Sequence, residues 1–173
     1  YYYTPTENFN GLDSLIYKSS DGNSYSENAT ILINVNSVND IPTASISETL
    51  LELNENTSID ITIDMNDIDG DDVELQILQN PVNGSIETFD TNGSFTYIPN
   101  DYFVGFDNLT VYAQESNTED NLKSEILSID LNVLAVNDPP VSFAQSITLQ
   151  EDQLLEFNMT GQDIEGDDLE FIL

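Results

Sequence analysis

Residues 59–77 read IDITIDMNDIDGDDVELQI, two apolar stretches on either side of an acidic loop. The apolar residues of both stretches stand at every second position: Ile59, Ile61, Ile63, Val73, Leu75 and Ile77. Period two is typical of half-buried strands, because successive side chains of a strand point to opposite faces. The stretch therefore predicts two β-strands joined by a polar loop that contains Gly70.

The same alternation continues on both sides of this stretch, from residue 46 to residue 133. Turn-forming pairs such as Asn83-Gly84 and Asn92-Gly93 separate the apolar runs, and no run has a helical period. About seven short strands in about a hundred residues are typical of a Greek-key β-sandwich of the immunoglobulin type. The sequence therefore predicts an all-β fold.

Three motifs occur twice in the same order, with about a hundred residues between the copies. YTP at 3–5 returns as YIP at 97–99, VNDIP at 38–42 as VNDPP at 136–140, and NDIDGDD at 66–72 as QDIEGDD at 162–168. These copies predict tandem repeats, with the C-terminal part of one repeat at 1–40, a complete repeat at 41–138 and the N-terminal part of the next at 139–173.

The two incomplete parts would each leave an apolar face and unpaired strand edges, which pair with whatever complements them. We expect either that neighbouring repeats of a longer polypeptide complete them, or that the tail of one copy completes the head of another. The first is favoured, because the two parts together lack the hairpin between Asn80 and Gly93. The chain also begins without Met or a signal sequence, as expected of an internal segment.

Acidic residues dominate the charge, with 33 Asp and Glu against two basic residues and a formal net charge of −31. Nucleic acids and anionic membrane surfaces are bound through clusters of Lys and Arg, so neither is an expected partner. The chain has no Cys and no His, which excludes disulfides, zinc sites of the Cys/His kind and His-activated nucleophiles. Repulsion among the carboxylates favours a divalent cation held by oxygen ligands.

The acidic loop 67–72 is the first candidate for that cation, because calcium takes six to eight oxygen ligands. An EF-hand does not fit, since it would place Met65 first and Gln76 last among the ligands. A polar turn explains a single acidic loop equally well. The second copy of the loop, beside a second Asn-Asp linker, favours calcium binding.

The repeated motifs together resemble the cadherin-like tandem repeats of large bacterial surface and secreted adhesins. The resemblance covers essentially the whole chain and rests on the Val-Asn-Asp-x-Pro linkers, the Asp-x-Asp-Gly-Asp-Asp loop, and Tyr-x-Pro followed by Phe-x-Gly-x-Asp-x-Leu. It implies calcium ligands at two junctions between repeats. At the first junction these are Asp13, Asn39, Asp40, Asp67 and Asp69, and at the second they are Glu55, Asp107, Asn137, Asp138, Asp163 and Glu165.

Two departures from the family pattern stand out. Glu165 occupies a position where Asp is usual, so its longer side chain is expected to weaken or shift the second site. The Asp-Arg-Glu element of cadherins has no clear counterpart, which leaves the number of ions per junction open.

The expected function is that of an extracellular structural extender, in which calcium stiffens the contacts between neighbouring repeats of an adhesin. Two alternatives stay open: an adhesive module that binds a carbohydrate or another copy of itself, and an accessory domain of a secreted enzyme. Paired carboxylates also hydrolyse glycosides. Without His, Arg or an evident aromatic cleft, we expect this segment not to be an enzyme.

Overall fold

The computed structural model describes all 173 residues and contains β-strands without any helix. The strands are β1 (Gly11–Tyr17), β2 (Ala29–Val35), β3 (Thr43–Ser45), β4 (Leu50–Asn54), β5 (Ile59–Thr62), β6 (Asp64–Asn66), β7 (Val73–Gln79), β8 (Gly84–Asp90), β9 (Ser94–Pro99), β10 (Gly105–Glu115), β11 (Leu127–Leu134), β12 (Val141–Ser142) and β13 (Gly161–Gln162).

Strands β3 to β11 form two facing sheets. One sheet has the order β4-β11-β10-β7, and the other has the order β5-β9-β8, with β3 paired to β6 beside it. Strand β4 runs parallel to β11, and the other pairs are antiparallel. Because the chain passes from one sheet to the other before β5, β7, β8 and β10, the strands form a β-sandwich. The predicted all-β sandwich is confirmed.

The core lies between these sheets and follows the period-two pattern. Leu109, Val111 and Ala113 on β10 are fully buried, and Phe95 and Tyr97 on β9 lie in the other sheet. Of the six apolar residues of the first two predicted strands, Ile61, Ile63 and Leu75 are buried, and the other three are half-buried. Alternation in the sequence thus identified which side chains form the core.

The two ends of the chain contain much less pairing. Residues 1–40 form one antiparallel hairpin, β1 with β2, and residues 139–173 contain only the short pair β12 with β13. Leu12, Ile16 and Leu32 on the hairpin are exposed. The repeat boundaries and the question of what completes these ends stay predictions.

Gly84 begins β8 where another side chain has no room. A Cβ at this position would overlap the ring of Tyr97 and lie 2.6 Å from the backbone oxygen of Ile98. We expect Gly84→Ala to lower the free energy of unfolding by about 2 kcal/mol in urea titrations, because overpacking a tight core forces its neighbours to move. Ser85→Ala, at an exposed neighbouring position, is the control, and equal effects of the two changes would contradict this reading.

Candidate metal centres at the repeat junctions

The acidic loop after β6 is closed by the side chain of Asp67. Its Oδ1 accepts the backbone N–H groups of Asp69 at 2.8 Å, Gly70 at 3.1 Å and Asp71 at 3.3 Å. Gly70 has a φ of 85°, a backbone conformation that glycine adopts without strain. The loop thus fixes the Asp67 carboxylate in place, with Oδ1 occupied by three hydrogen bonds.

The second oxygen of Asp67, Oδ2, is buried and receives no hydrogen bond. Buried polar atoms in proteins nearly always have a partner, and leaving one without costs about 1–3 kcal/mol. No Lys or Arg is near enough to form an ion pair, since the chain's two lysines lie over the rings of Tyr25 and Tyr112. This oxygen therefore has the chemistry of a metal ligand.

The linker before β3 meets this loop directly. The backbone N–H of Asp40 donates to Asp69 Oδ2 at 2.8 Å. The amide Nδ2 of Asn39 donates to both carboxylate oxygens of Glu115, at 3.1 and 2.9 Å. The structure therefore brings the four predicted residues Asn39, Asp40, Asp67 and Asp69 to the same end of the complete repeat.

Glu115 is a site residue that the sequence interpretation missed. It ends β10, is only 2% exposed, and also accepts the Thr118 hydroxyl at 2.7 Å and the Leu122 N–H at 3.2 Å. Burial raises the pKa of Glu115, but the hydrogen bonds from Thr118, Asn39 and Leu122 outweigh burial and lower it. The sequence signal that could have identified it is its spacing: Glu115 continues the every-second-residue pattern of the buried residues Leu109, Val111 and Ala113 on β10.

The carboxylates of the first junction repel one another. Burial, followed by the charges of Asp67, Glu115 and Asp69, raises the pKa of Asp71. Glu7, from the preceding repeat, lines a cavity of about 330 Å³ together with Asp40 and Asp69. The arrangement concentrates negative charge from two repeats and their linker, and a bound cation would relieve that repulsion.

The second junction gathers three carboxylates. Ligand oxygens of Glu55, Asp138 and Glu165 lie within 4.8 Å of one another. Glu55 is buried, and its Oε1 accepts the Val136 N–H at 2.8 Å. Burial is the main cause that raises the pKa of Glu165. These three residues come from the complete repeat, the linker and the following repeat respectively.

The loop after β13 repeats the geometry of the first acidic loop. Asp163 is buried, and its Oδ1 accepts the N–H of Glu165 at 3.0 Å and of Asp167 at 3.3 Å. Asn137 differs from its counterpart Asn39, since its amide donates to the Asp138 backbone oxygen at 3.1 Å. Asn137 thus stays within the linker.

Asp107, one of the predicted metal ligands, has a structural role in the core, and its binding of metal stays a prediction. It is buried, and its two oxygens accept the N–H groups of Val82, Asn83 and Asn108 at 2.8–2.9 Å and the Tyr97 hydroxyl at 3.1 Å. Burial, followed by the Asp107 charge, raises the pKa of Tyr97. Protein donors therefore use both oxygens.

Asp13 forms the equivalent bond in the preceding repeat. Its Oδ2 accepts the Tyr3 hydroxyl at 2.8 Å, and its Oδ1 accepts the Ser14 N–H at 2.7 Å. This Tyr–Asp pair has the same spacing as Tyr97 and Asp107. The carboxylate of Asp13 thus holds the fold of its own repeat, and its binding of metal stays a prediction.

Two facing sheets in this strand order, with acidic loops and linkers between successive units, define an immunoglobulin-like β-sandwich repeat. Residues 39–124 match a family model described as a bacterial Ig domain. This part of the chain belongs to the bacterial Ig domain family. No curated protein matches the chain. No helix of the chain is long and apolar enough to span a bilayer.

Several solved structures are similar to the chain over part of their length. Human CDH23 EC21-23 is 22% identical, with 87% of this chain and 55% of that chain covered and a TM-score of 0.49. Drosophila N-cadherin EC1-4 is 15% identical, with 89% of this chain and 41% of that chain covered and a TM-score of 0.46. A nucleoside hydrolase-related protein from Saccharophagus degradans is 15% identical, with 56% of this chain and 26% of that chain covered and a TM-score of 0.43. The chain thus spans between about a quarter and about half of these structures.

Proposed function

We propose that this chain is a calcium-dependent structural extender, a non-catalytic segment of an extracellular adhesin in which bound ions stiffen the junctions between repeats. The observation that carries the proposal is the buried, unpaired Oδ2 of Asp67 among neighbouring carboxylates. A polar turn would leave this oxygen in water or bonded to a donor.

The donor set at the first junction fits calcium better than other metals. All candidate ligands are hard oxygens, from Asp40, Asp67, Asp69 and Glu115 and from the Asn39 amide, whose Oδ1 is left free by the bonds of its nitrogen. Calcium accepts several carboxylates in irregular geometry, whereas magnesium demands a near-ideal octahedron and keeps more of its water. Glu7 adds a further carboxylate from the preceding repeat.

Stiffening follows from the origin of the ligands. At the second junction, Glu55 belongs to one repeat, Asp138 to the linker and Glu165 to the next repeat. An ion shared by all three would restrict rotation of the two repeats about the linker. Extracellular modules bind calcium with Kd of about 10⁻⁴ to 10⁻³ M, so calcium outside the cell would occupy such sites.

Asp67→Asn tests the assignment of the metal. Asparagine keeps an Oδ1 that accepts the three loop N–H groups, so the loop is expected to stay folded while the charged Oδ2 is lost. We expect titration calorimetry to show calcium binding at millimolar concentration in the parent chain. In the variant, the stoichiometry should fall by the ions of the first junction, with binding at the second retained.

Asp64→Asn is the matched control, because it removes the same charge from an exposed position on β6. It should leave the stoichiometry unchanged. Absence of calcium binding by the parent chain, or equal losses in Asp64→Asn and Asp67→Asn, would show that the acidic loops are solvated turns.

A further inference from the structure

The outer surface of the second junction carries a cavity of about 450 Å³ with an unusual lining. Tyr102 and Phe143 are 56% and 50% exposed. The full lining consists of Tyr102, Asp138, Pro139, Val141, Phe143, Gln162 and Ile164. An exposed apolar patch with a few polar groups is the usual composition of a ligand site.

The first junction shows that the repeat does not require this apolar surface. Its equivalent cavity is about 260 Å³ and is lined by Glu7, Asn8, Asp40, Ile41, Thr43, Asn66 and Ile68. Asn8 stands where the second junction has Tyr102, Thr43 where it has Val141, and Ser45 where it has Phe143. The linkers and loops around both cavities follow the same motif, so the aromatic side chains are a property of the second junction alone.

Completing the third repeat would leave this surface exposed. Strands β12 and β13 pair Val141 with Gln162, as β3 and β6 pair Thr43 with Asn66. In the complete repeat Thr43, Ser45 and Ile68 are all exposed. The equivalent side chains Val141 and Ile164 therefore face outward, whereas Phe143 lies between this surface and a second cavity of its own repeat, which is lined by Phe157, Met159 and Phe171.

Tyr102 is a bulky residue at a position where both repeats adopt a left-handed backbone conformation. Tyr102 has a φ of 60°, and its counterpart Asn8 has a φ of 59°. Asparagine adopts this left-handed conformation readily, whereas a bulky side chain does so at a cost in free energy. Strain of this kind persists mainly where the side chain serves a function. Asparagine suffices at this position of the first junction, so tyrosine here points to a role for its exposed ring.

The net charge of the chain limits which ligands this exposed surface can bind. A net charge of −31 repels anionic ligands and opposes docking of a second copy. The lining offers aromatic rings beside one amide, Gln162, and one carboxylate, Asp138. A sugar ring matches this set, because its C–H face packs on an aromatic ring while its hydroxyl groups bond to amides and carboxylates.

We propose that the surface formed by Tyr102, Phe143 and Gln162 binds a neutral carbohydrate. This binding goes beyond the extender function, because it gives the segment an adhesive site of its own. The two roles share only Asp138 and are measured separately.

Saturation-transfer NMR tests the proposal on the intact chain in millimolar calcium, with four neutral probes: cellohexaose, xylohexaose, mannohexaose and maltohexaose. We expect transfer to at least one of them. Tyr102→Asn, which copies the first junction, should weaken binding at least about tenfold, a difference of 1.4 kcal/mol. Its melting temperature should be unchanged or higher, because the strain is relieved. Phe106→Ala removes another exposed aromatic ring on β10 and should bind as the parent does.

Four results would overturn the proposal. These are no transfer to any of the probes, undiminished binding by Tyr102→Asn, a lower melting temperature for Tyr102→Asn, and self-association in sedimentation that Tyr102→Asn abolishes. The third would make Tyr102 a packing residue, and the fourth would make the surface a contact between copies. Calcium titration of the parent chain keeps the roles apart, since normal calcium binding by the parent without binding of any saccharide sinks this inference and leaves the extender function standing.

Discussion

Asp107→Asn is expected to lower the free energy of unfolding of the complete repeat by about 3 kcal/mol. The carboxylate accepts hydrogen bonds on both oxygens, from three backbone N–H groups and the Tyr97 hydroxyl. An asparagine amide has one acceptor oxygen, so its NH₂ group must face donors on one side. Buried donors without partners are the cause of the loss, and urea unfolding measures it.

Calcium titration of the same variant distinguishes the two roles considered for Asp107. Replacing a structural residue leaves the stoichiometry of calcium binding unchanged, whereas replacing a calcium ligand reduces it. Asp13→Asn is the matched control, because it makes the same change in the equivalent Tyr–Asp pair where that pair is exposed. The control should cost less than about 1 kcal/mol. Equal losses of stability in the two variants would contradict the role assigned to Asp107 in the core.

Removal of calcium by a chelator is the second large effect. At ten times Kd each site adds about 1.4 kcal/mol, so one ion at each of the two junctions would contribute about 3 kcal/mol to the stability of the folded state. We expect the melting temperature to fall on chelation while the sandwich between β3 and β11 keeps its sheets. Small-angle scattering should show a broader distribution of shapes, because the linkers become free to bend.

The double variant Asp67→Asn with Asp163→Asn serves as the control for chelation. It removes the central carboxylate of each acidic loop, so calcium should change neither its melting temperature nor its scattering profile. Identical melting curves and profiles for the parent chain with calcium and with chelator would contradict the extender function.

Local rules explain why much of the fold was predictable. Ile61 and Leu75 were assigned to the core because a strand turns alternate side chains to opposite faces, and both are buried in the structure. The loop at Asp67 was predictable for a similar reason, since an Asp two residues before an Asp-Gly pair closes a turn through bonds within four residues.

The ligand set was less predictable, and β10 shows the cause. Asp107 and Glu115 lie on the same inward face of this strand, at its two ends. The period-two alternation places both side chains on the same face. A rise of about 3.3 Å per residue nevertheless separates their Cα atoms by about 26 Å. Only the packing of the sheets decides that Glu115 meets the linker while Asp107 meets Tyr97.

The sequence alone determined the all-β fold class and the two acidic loops, because each depends on residues close together in the chain. The tertiary structure alone decided which carboxylates converge. Asn39 meets Glu115 across 76 positions, and Val136 meets Glu55 across 81. Contacts of this length depend on how strands from distant parts of the chain align in the two sheets, and no local pattern in the sequence encodes that alignment.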